Sequence, residues 1–172
     1  MFWMPAFAGM TKMPVFSGQK LNTPMQTDPK LSAMRLLARR EHSRHELKQK
    51  LILRGFTQNI IKPLLDELEE DNLLSNDRFI GCYIRARIAK GMGPLKILAQ
   101  LQNHEIDAHH IRQHDEWKNT SWEEVAYQVK IKRFGENIPH DSNDRKHQER
   151  FLQQRGFTFE QIRNALSTLV SD

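Results

Sequence analysis

His110 and His114 stand four residues apart with Asp115 beside them, a spacing that on one turn of helix could chelate a divalent metal. No glutamate stands where a zinc hydrolase needs its general base, and nothing specifies a third ligand. These side chains, like His42, His45 and His109, therefore read as surface histidines on polar helices, and no metal is expected. Cys82 is the only cysteine, so an internal disulfide and a Cys-rich zinc site are both excluded. It lies next to Tyr83 on the apolar side of its helix, with no His–acid pair spaced to activate it, and is expected to be a buried structural thiol. Glu69, Glu70 and Asp71 read as a solvated helix end. Gly91 and Gly93 lack the third glycine and the Lys-Ser/Thr pair of a phosphate loop, and read as a helix-to-helix turn. No catalytic constellation and no cofactor is expected, which leaves binding by charge.

The formal charge is +5, from 26 Lys and Arg against 21 Asp and Glu, and the sequence pI is about 9.5. A mild excess of this kind is compatible with a polyanionic partner but does not require one. Its distribution says more. Lys30 to Lys62 carries nine basic and two acidic residues, and Pro63 to Asp77 six acidic and no basic ones. Arg78 to Gln102 carries five basic and no acidic residues, and Asn103 to Glu124 six acidic and two basic. Either these alternating faces pair with one another, or they make a basic stripe aimed at phosphates or an acidic protein groove. No apolar stretch approaches the roughly 20 residues that span a bilayer, and a reducing cytoplasm is the natural compartment. Residues 1–27, broken by Pro5, Gly9, Pro14, Gly18 and Pro24, are expected to be a disordered extension, with Met13 or Met25 as candidate true starts.

The elements that position these charges come from an internal repeat. A shift of 50 or 51 residues aligns Leu51–Phe56, Leu101–Ile106 and Leu152–Phe157, and then Ile61, Ile111 and Ile162. Gly55 and Gly156 fall where a helix should stop, since glycine takes the left-handed turn without strain. Thr57, Asp107 and Thr158 are N-caps for the next helix. Phe56, Ile106 and Phe157 precede those caps, and each meets an isoleucine at the fourth helical position, which is the hydrophobic staple repeated three times.

Three helices per unit follow. The first unit has a stripe of Leu31, Met34, Leu37 and Ala38. A capping box from Ser43 to Glu46 then opens a helix with Leu47, Leu51 and Ile52 inward. Its third helix carries Ile61, Leu64, Leu65 and Leu68, with Pro63 expected to bend it. In the second, Ser75 caps a helix bearing Phe79, Tyr83, Ile84 and Ile88. Pro94 opens the next helix, with Leu95, Leu98 and Leu101, and a third starts at Asp107. In the third, Ser121 and Glu124 form a box ahead of Val125, Ala126, Val129 and Phe134. A polar loop from Gly135 to Asn143 leads to helices over Arg145–Arg155 and Thr158–Val170. Trp117 and Trp122 are expected to pack at the junction of the second and third units. The fold class is all-α: a tandem array of three three-helix repeats, elongated and curved, over 28–74, 75–119 and 120–172.

These residues also carry a resemblance. Leu37 to Glu41, Glu46 to Lys48, and Lys50-Leu51 resemble the opening motif of RecX proteins. Leu73-Leu74, Asp77 to Phe79, Tyr83 to Arg85, Arg87, Gly91 to Pro94, Lys96-Ile97 and Leu101 resemble the central signature. Phe151-Leu152 and Arg155 to Phe157 resemble the C-terminal motif, and the likeness spans Pro29 to Leu169. Asn76, Ile80 and the pair His104-Glu105 depart from the pattern, the last removing a helix-ending glycine and a positive charge.

The resemblance implies a curved array of three three-helix repeats that acts as a monomer. It implies lodging in the deep groove of the RecA recombinase filament on single-stranded DNA, contact with neighbouring protomers, inhibition of ATP hydrolysis and strand exchange, and filament loss. On that footing the candidate filament- or DNA-binding residues are Arg39, Arg40 and Arg44 in the first unit. In the second they are Arg85, Arg87, Lys90 and Lys96, and in the third Lys130, Lys132 and Arg133. Arg78, beside Asp77 at a helix start, is expected to be structural. The alternative reading is a direct DNA-binding regulator built from helix-turn-helix-like units. It is weakened by third helices whose only Lys or Arg in the first two units are Lys62 and Arg112.

Overall fold

The computed structural model describes residues 28–167. The expected extension at 1–27 and the expected last helical residues, 168–170, lie outside the described residues. Among the described residues ten helices follow one another: α1 Pro29–Leu37, α2 Arg44–Ile52, α3 Gln58–Glu70, α4 Asn76–Ile88, α5 Pro94–Gln102, α6 Ala108–Gln113, α7 Asp115–Lys118, α8 Trp122–Phe134, α9 Ser142–Arg155 and α10 Phe159–Ser167. No strand occurs among the described residues, so the all-α class stands.

The repeated block builds the ends of these helices as its residue types require. Gly55 and Gly156 both take φ +88°, and the amides of Phe56 and Phe157 donate back to Leu51 and Leu152 O at 3.2 Å, closing the last turn. At the matching position of the second unit Glu105 adopts φ +59°, a conformation that L side chains enter at a cost. Asp107 accepts from the amides of His109 and His110, and Ser43, Ser75 and Ser121 cap their helices at Glu46, Arg78 and Glu124. The Ser43–Glu46 box is only half formed, because the Glu46 carboxylate is taken by Arg40 and Lys50. Thr57 makes no side-chain cap. Helix α3 continues through Pro63, which lies past its first turn.

Three apolar clusters result. The first gathers Leu47, Leu51, Ile61, Leu65 and Leu68, the second Phe79, Ile84, Ile97, Leu101 and Ile111, and the third Ala126, Leu152, Phe157, Ile162 and Leu166. The second also takes in Trp122 from the start of α8, whose ring lies 4.9 Å from that of Trp117. Those two rings pack at the junction, as the sequence suggested.

Several local readings need correction. On α1 the buried line is Ser32, Ala33 and Leu36, while Leu31, Met34 and Ala38 are exposed. On α5 it is Pro94, Ile97 and Leu101, while Leu95 is exposed. Cys82 is exposed and not buried, because the inward residues of α4 are Phe79, Ile80, Gly81 and Ile84. The single helix expected from Asp107 breaks at His114, whose extended backbone ends α6. Its Nδ1 accepts from the Glu116 amide at 3.1 Å and opens α7.

The repeats are joined in two different ways. Between the second and third, backbone meets backbone: the Gly93 amide donates to Arg155 O at 2.8 Å and the Leu95 amide to Gly156 O at 3.0 Å. A Cβ on Gly93 would sit 2.5 Å from Gly156 C and O, so only glycine admits this approach. Between the first and second, side chains dominate. Arg78 Nε donates to Glu41 at 2.8 Å, and the Arg44 amide to Asn76 Oδ1 at 2.9 Å, while His45 Nδ1 lies 3.0 Å from a Glu105 oxygen. Arg78 is thus structural as expected, with Glu41 and Asn72 and not Asp77 as its partners.

Candidate functional site

Nine of the ten predicted cations fall into three groups, and Arg39 stands apart. Lys130 does not belong to a surface at all: it is 1 % exposed and donates to the carbonyls of Glu136 and Asn137 at 2.9 and 2.8 Å. It holds the α8–α9 loop, and burial pushes its pKa below the usual lysine value. Alternation on α8 gave no warning, because Lys130 follows Trp122 and Ala126 on the buried line and its stem fills the slot of an apolar residue.

A second group spends its charge internally. Arg44 pairs with Asp66 and Glu69 on α3, and Arg85 pairs with Glu116 on α7. Lys96 donates to Gln154 O at 3.1 Å across the joint of repeats two and three. The alternation of basic and acidic helices is thus partly a set of faces that pair with each other.

The third group lines two clefts. The first, about 550 Å³, opens between the start of α2, α4 and the end of α5, and includes Arg40, Arg87 and Lys90 with Phe79, Tyr83 and His104. Arg87 sits 4.4 Å above the Tyr83 ring and donates to its hydroxyl at 2.9 Å, while Tyr83 donates to Gln100 at 3.0 Å. Arg40 is held on Glu46. Burial would raise the Glu46 pKa, but hydrogen bonds from Arg40 and Lys50 outweigh it and hold the carboxyl at about 2. Beside it His42 is 1 % exposed. It donates from Nδ1 to Arg40 O at 2.9 Å and accepts from Lys50 Nζ on Nε2 at 2.9 Å. Burial lowers the pKa of His42 and of His104.

The second cleft, about 580 Å³, lies between the C-terminal end of α4, one face of α8, and α9. Lys90, Lys132 and Arg133 stand at its edge over a floor of Ile88, Val125, Val129 and Phe151. All three cations are exposed, and none has a carboxylate partner among the described residues. Lys90 lines both clefts, so they meet there. Arg39 is exposed on neither. Sequence reasoning missed Arg155, which donates to Lys90 O at 2.7 Å and lies 5.0 Å over Phe151. Its place in the C-terminal motif beside Gly156 was the available signal.

The pair His110 and His114, from which no metal site is expected, packs locally: the two lie 3.4 and 3.8 Å from an Asp77 oxygen, and His114 caps α7. Among the described residues no group of three or more His, Cys, Asp or Glu is arranged to hold a metal ion, and no helix is long and apolar enough to cross a membrane.

Comparison with known proteins places this geometry. The profile of the RecX first three-helix domain matches residues 30–68, and that of the RecX third three-helix domain matches 122–166. A protein of Halorhodospira halophila named Regulatory protein RecX is 38% identical over 141 residues, covering 82% of this chain and 88% of that one. The chain belongs to the RecX family. A relative of the same name from Pseudomonas entomophila is 39% identical over 147 residues, covering 86% of this chain and 94% of that one. The crystal structure of RecX from Lactobacillus salivarius superposes with a TM-score of 0.66 at 19% identity, over 80% of this chain and 91% of that one, and so shares the RecX fold. The relatives carry the name of regulators, and the clefts described above, apolar with cationic edges, suit a regulator that works by contact.

Proposed function

We propose that this chain regulates homologous recombination and DNA repair by binding the groove of a RecA filament on single-stranded DNA, where it inhibits ATP hydrolysis and strand exchange. The observation that carries the reading is the run of Arg40, Arg87, Lys90, Lys132 and Arg133 along two clefts that meet at Lys90, in a RecX-family chain. A helical polymer presents matched sites along its groove, and an array of repeats, taken as 28–74, 75–119 and 120–172, can follow it as a cytoplasmic monomer. Arg39 stays a candidate contact, and Arg44, Arg85 and Lys96, engaged with partners inside the chain, hold the helices that carry the surface. Helix α10 has Arg163 as its only cation, and α3 and α6 have Lys62 and Arg112, which favours a protein groove over direct reading of DNA by third helices. The test is ATP hydrolysis by RecA on single-stranded DNA, with this protein added below filament stoichiometry. Strong inhibition, with weak DNA binding by the protein alone, is expected. Reversal of Lys90, Lys132 and Arg133 to glutamate should abolish inhibition while leaving helicity intact. No inhibition together with tight, salt-dependent DNA binding would reassign the protein as a direct DNA binder.

A further inference from the structure

The second cleft is unusual in what it leaves uncovered. Helix α8 buries Trp122, Ala126 and Lys130, and this places Val125 and Val129 one turn apart on the cleft floor. A lysine occupies a core position while two valines are left half-exposed beside the core. Lys132 and Arg133 stand at the α8 C-terminal end of that floor, and Lys90 faces them from the end of α4. Cations in the last turn of a helix are favoured by the helix dipole, which accounts for the sign of Lys132 and Arg133 but not for the open apolar floor between them and Lys90. At the opposite end Glu124 accepts from Gln128 at 2.8 Å, so the cleft is polarised along α8.

We propose that this cleft docks a short polypeptide segment of a partner protein, one whose apolar side chains lie on Val125 and Val129 and whose flanking carboxylates meet Lys90, Lys132 and Arg133. The charge of the rim selects an acidic segment, and the position of Glu124 selects its direction, with the carboxylates toward the C-terminal end of α8. The floor selects polypeptide over nucleic acid. Stacking of bases needs open aromatic faces, and the one aromatic residue lining the cleft, Phe151, has Arg155 over its ring at 5.0 Å. The inference deepens the filament-binding reading by naming what the third repeat grips, and rests on it only for the identity of the partner.

The test therefore leaves the filament out. The full chain, labelled with nitrogen-15, is titrated with the peptide acetyl-Leu-Leu-Glu-Glu-amide, whose carboxylates lie at one end, with its lysine counterpart, and with a thymidine hexanucleotide. Saturable amide shifts confined to the end of α4 and the cleft face of α8 are expected for the acidic peptide alone. Lys132→Glu with Arg133→Glu, both fully on the surface, should weaken that binding about tenfold. Val129→Ser should weaken it several-fold without moving the remaining spectrum. Absence of shifts with the acidic peptide, equal response to the lysine peptide, preference for the hexanucleotide, or indifference to the charge reversals would each overturn the assignment. Because RecA is not in the tube, failure here leaves the ATPase inhibition standing, and failure of inhibition leaves this result readable.

Discussion

Gly93→Ala is the perturbation that tests the joint of the second and third repeats. Its φ of −87° is one that alanine adopts freely, so the backbone itself does not object. The space does: the new methyl would lie 2.5 Å from Gly156 C and O and 2.6 Å from Phe157 N, all of them main-chain atoms that cannot swing aside. Relief requires the two segments to part, which breaks the bonds from Gly93 N to Arg155 O and from Leu95 N to Gly156 O. Two such bonds contribute about 1 kcal/mol each, and forced overpacking adds about 1–3 kcal/mol. Alanine restricts the unfolded chain and returns about 0.5–1 kcal/mol. The net loss should be roughly 2–4 kcal/mol. Gly55→Ala is the matched control: φ is +88° but nothing lies within 4 Å, so only the left-handed penalty of about 1 kcal/mol applies. Urea unfolding followed by circular dichroism measures both, and hydrogen exchange at the Leu95 amide reports the joint directly. A Gly93→Ala protein within 0.5 kcal/mol of wild type (roughly the scatter of neutral surface changes) with Leu95 still protected would refute the argument.

Three further outcomes follow from the same geometry. Stability should fall on acidification in two stages. His42 and His104 are held below the ordinary 6.5 by burial, so the unfolded chain takes up protons first and stability declines below that pH. Glu46, held at about 2 against an ordinary 4.5, adds stability that is complete above 4.5 and is lost toward 2, by about 2 kcal/mol after allowance for its partial exposure. Urea midpoints at pH 7, 5.5 and 3.5 test both, and a flat profile contradicts them. Lys130→Ala should cost about 2–3 kcal/mol, mainly through the cavity left by its buried stem, whereas Lys132→Ala should stay within about 0.5 kcal/mol; equal effects would show that Lys130 is not buried as described. Glu105→Gly should stabilise by about 1 kcal/mol, because glycine takes φ +59° without strain and the exposed contact to His45 contributes little. A lower melting temperature would show that the His45 contact outweighs the backbone.

The repeat, the helix ends and the staples were legible because they are set by local chemistry: a glycine at +88°, an acceptor side chain on the next turn, an isoleucine four residues on. The family likeness was legible for a related reason, yet the sequence could not say why its motifs go together. Gly93 in the central signature and Gly156 in the C-terminal motif are separated along the chain and touch through their main chains. Site prediction fared unevenly. Side-chain type marks a cation but not its neighbour, so Arg44 on its α3 carboxylates, Lys130 on its carbonyls and Lys132 in open solvent look alike until the helices are packed. The outward turn of Cys82 and Leu95 was hidden because each lies within a run of apolar neighbours, and short helices have room for only one buried line.

The unlike joints give the molecule unequal stiffness along its length. Main-chain bonds through two glycines are indifferent to ionic strength and leave no slack, so the second and third repeats behave as one rigid jaw. The first repeat hangs from that jaw by one ion pair, a histidine contact and an amide hydrogen bond to Asn76, and salt screens the charged contacts among them. On the proposed filament groove, the jaw would set the footprint and the first repeat would supply the compliance, adjusting to the pitch it finds.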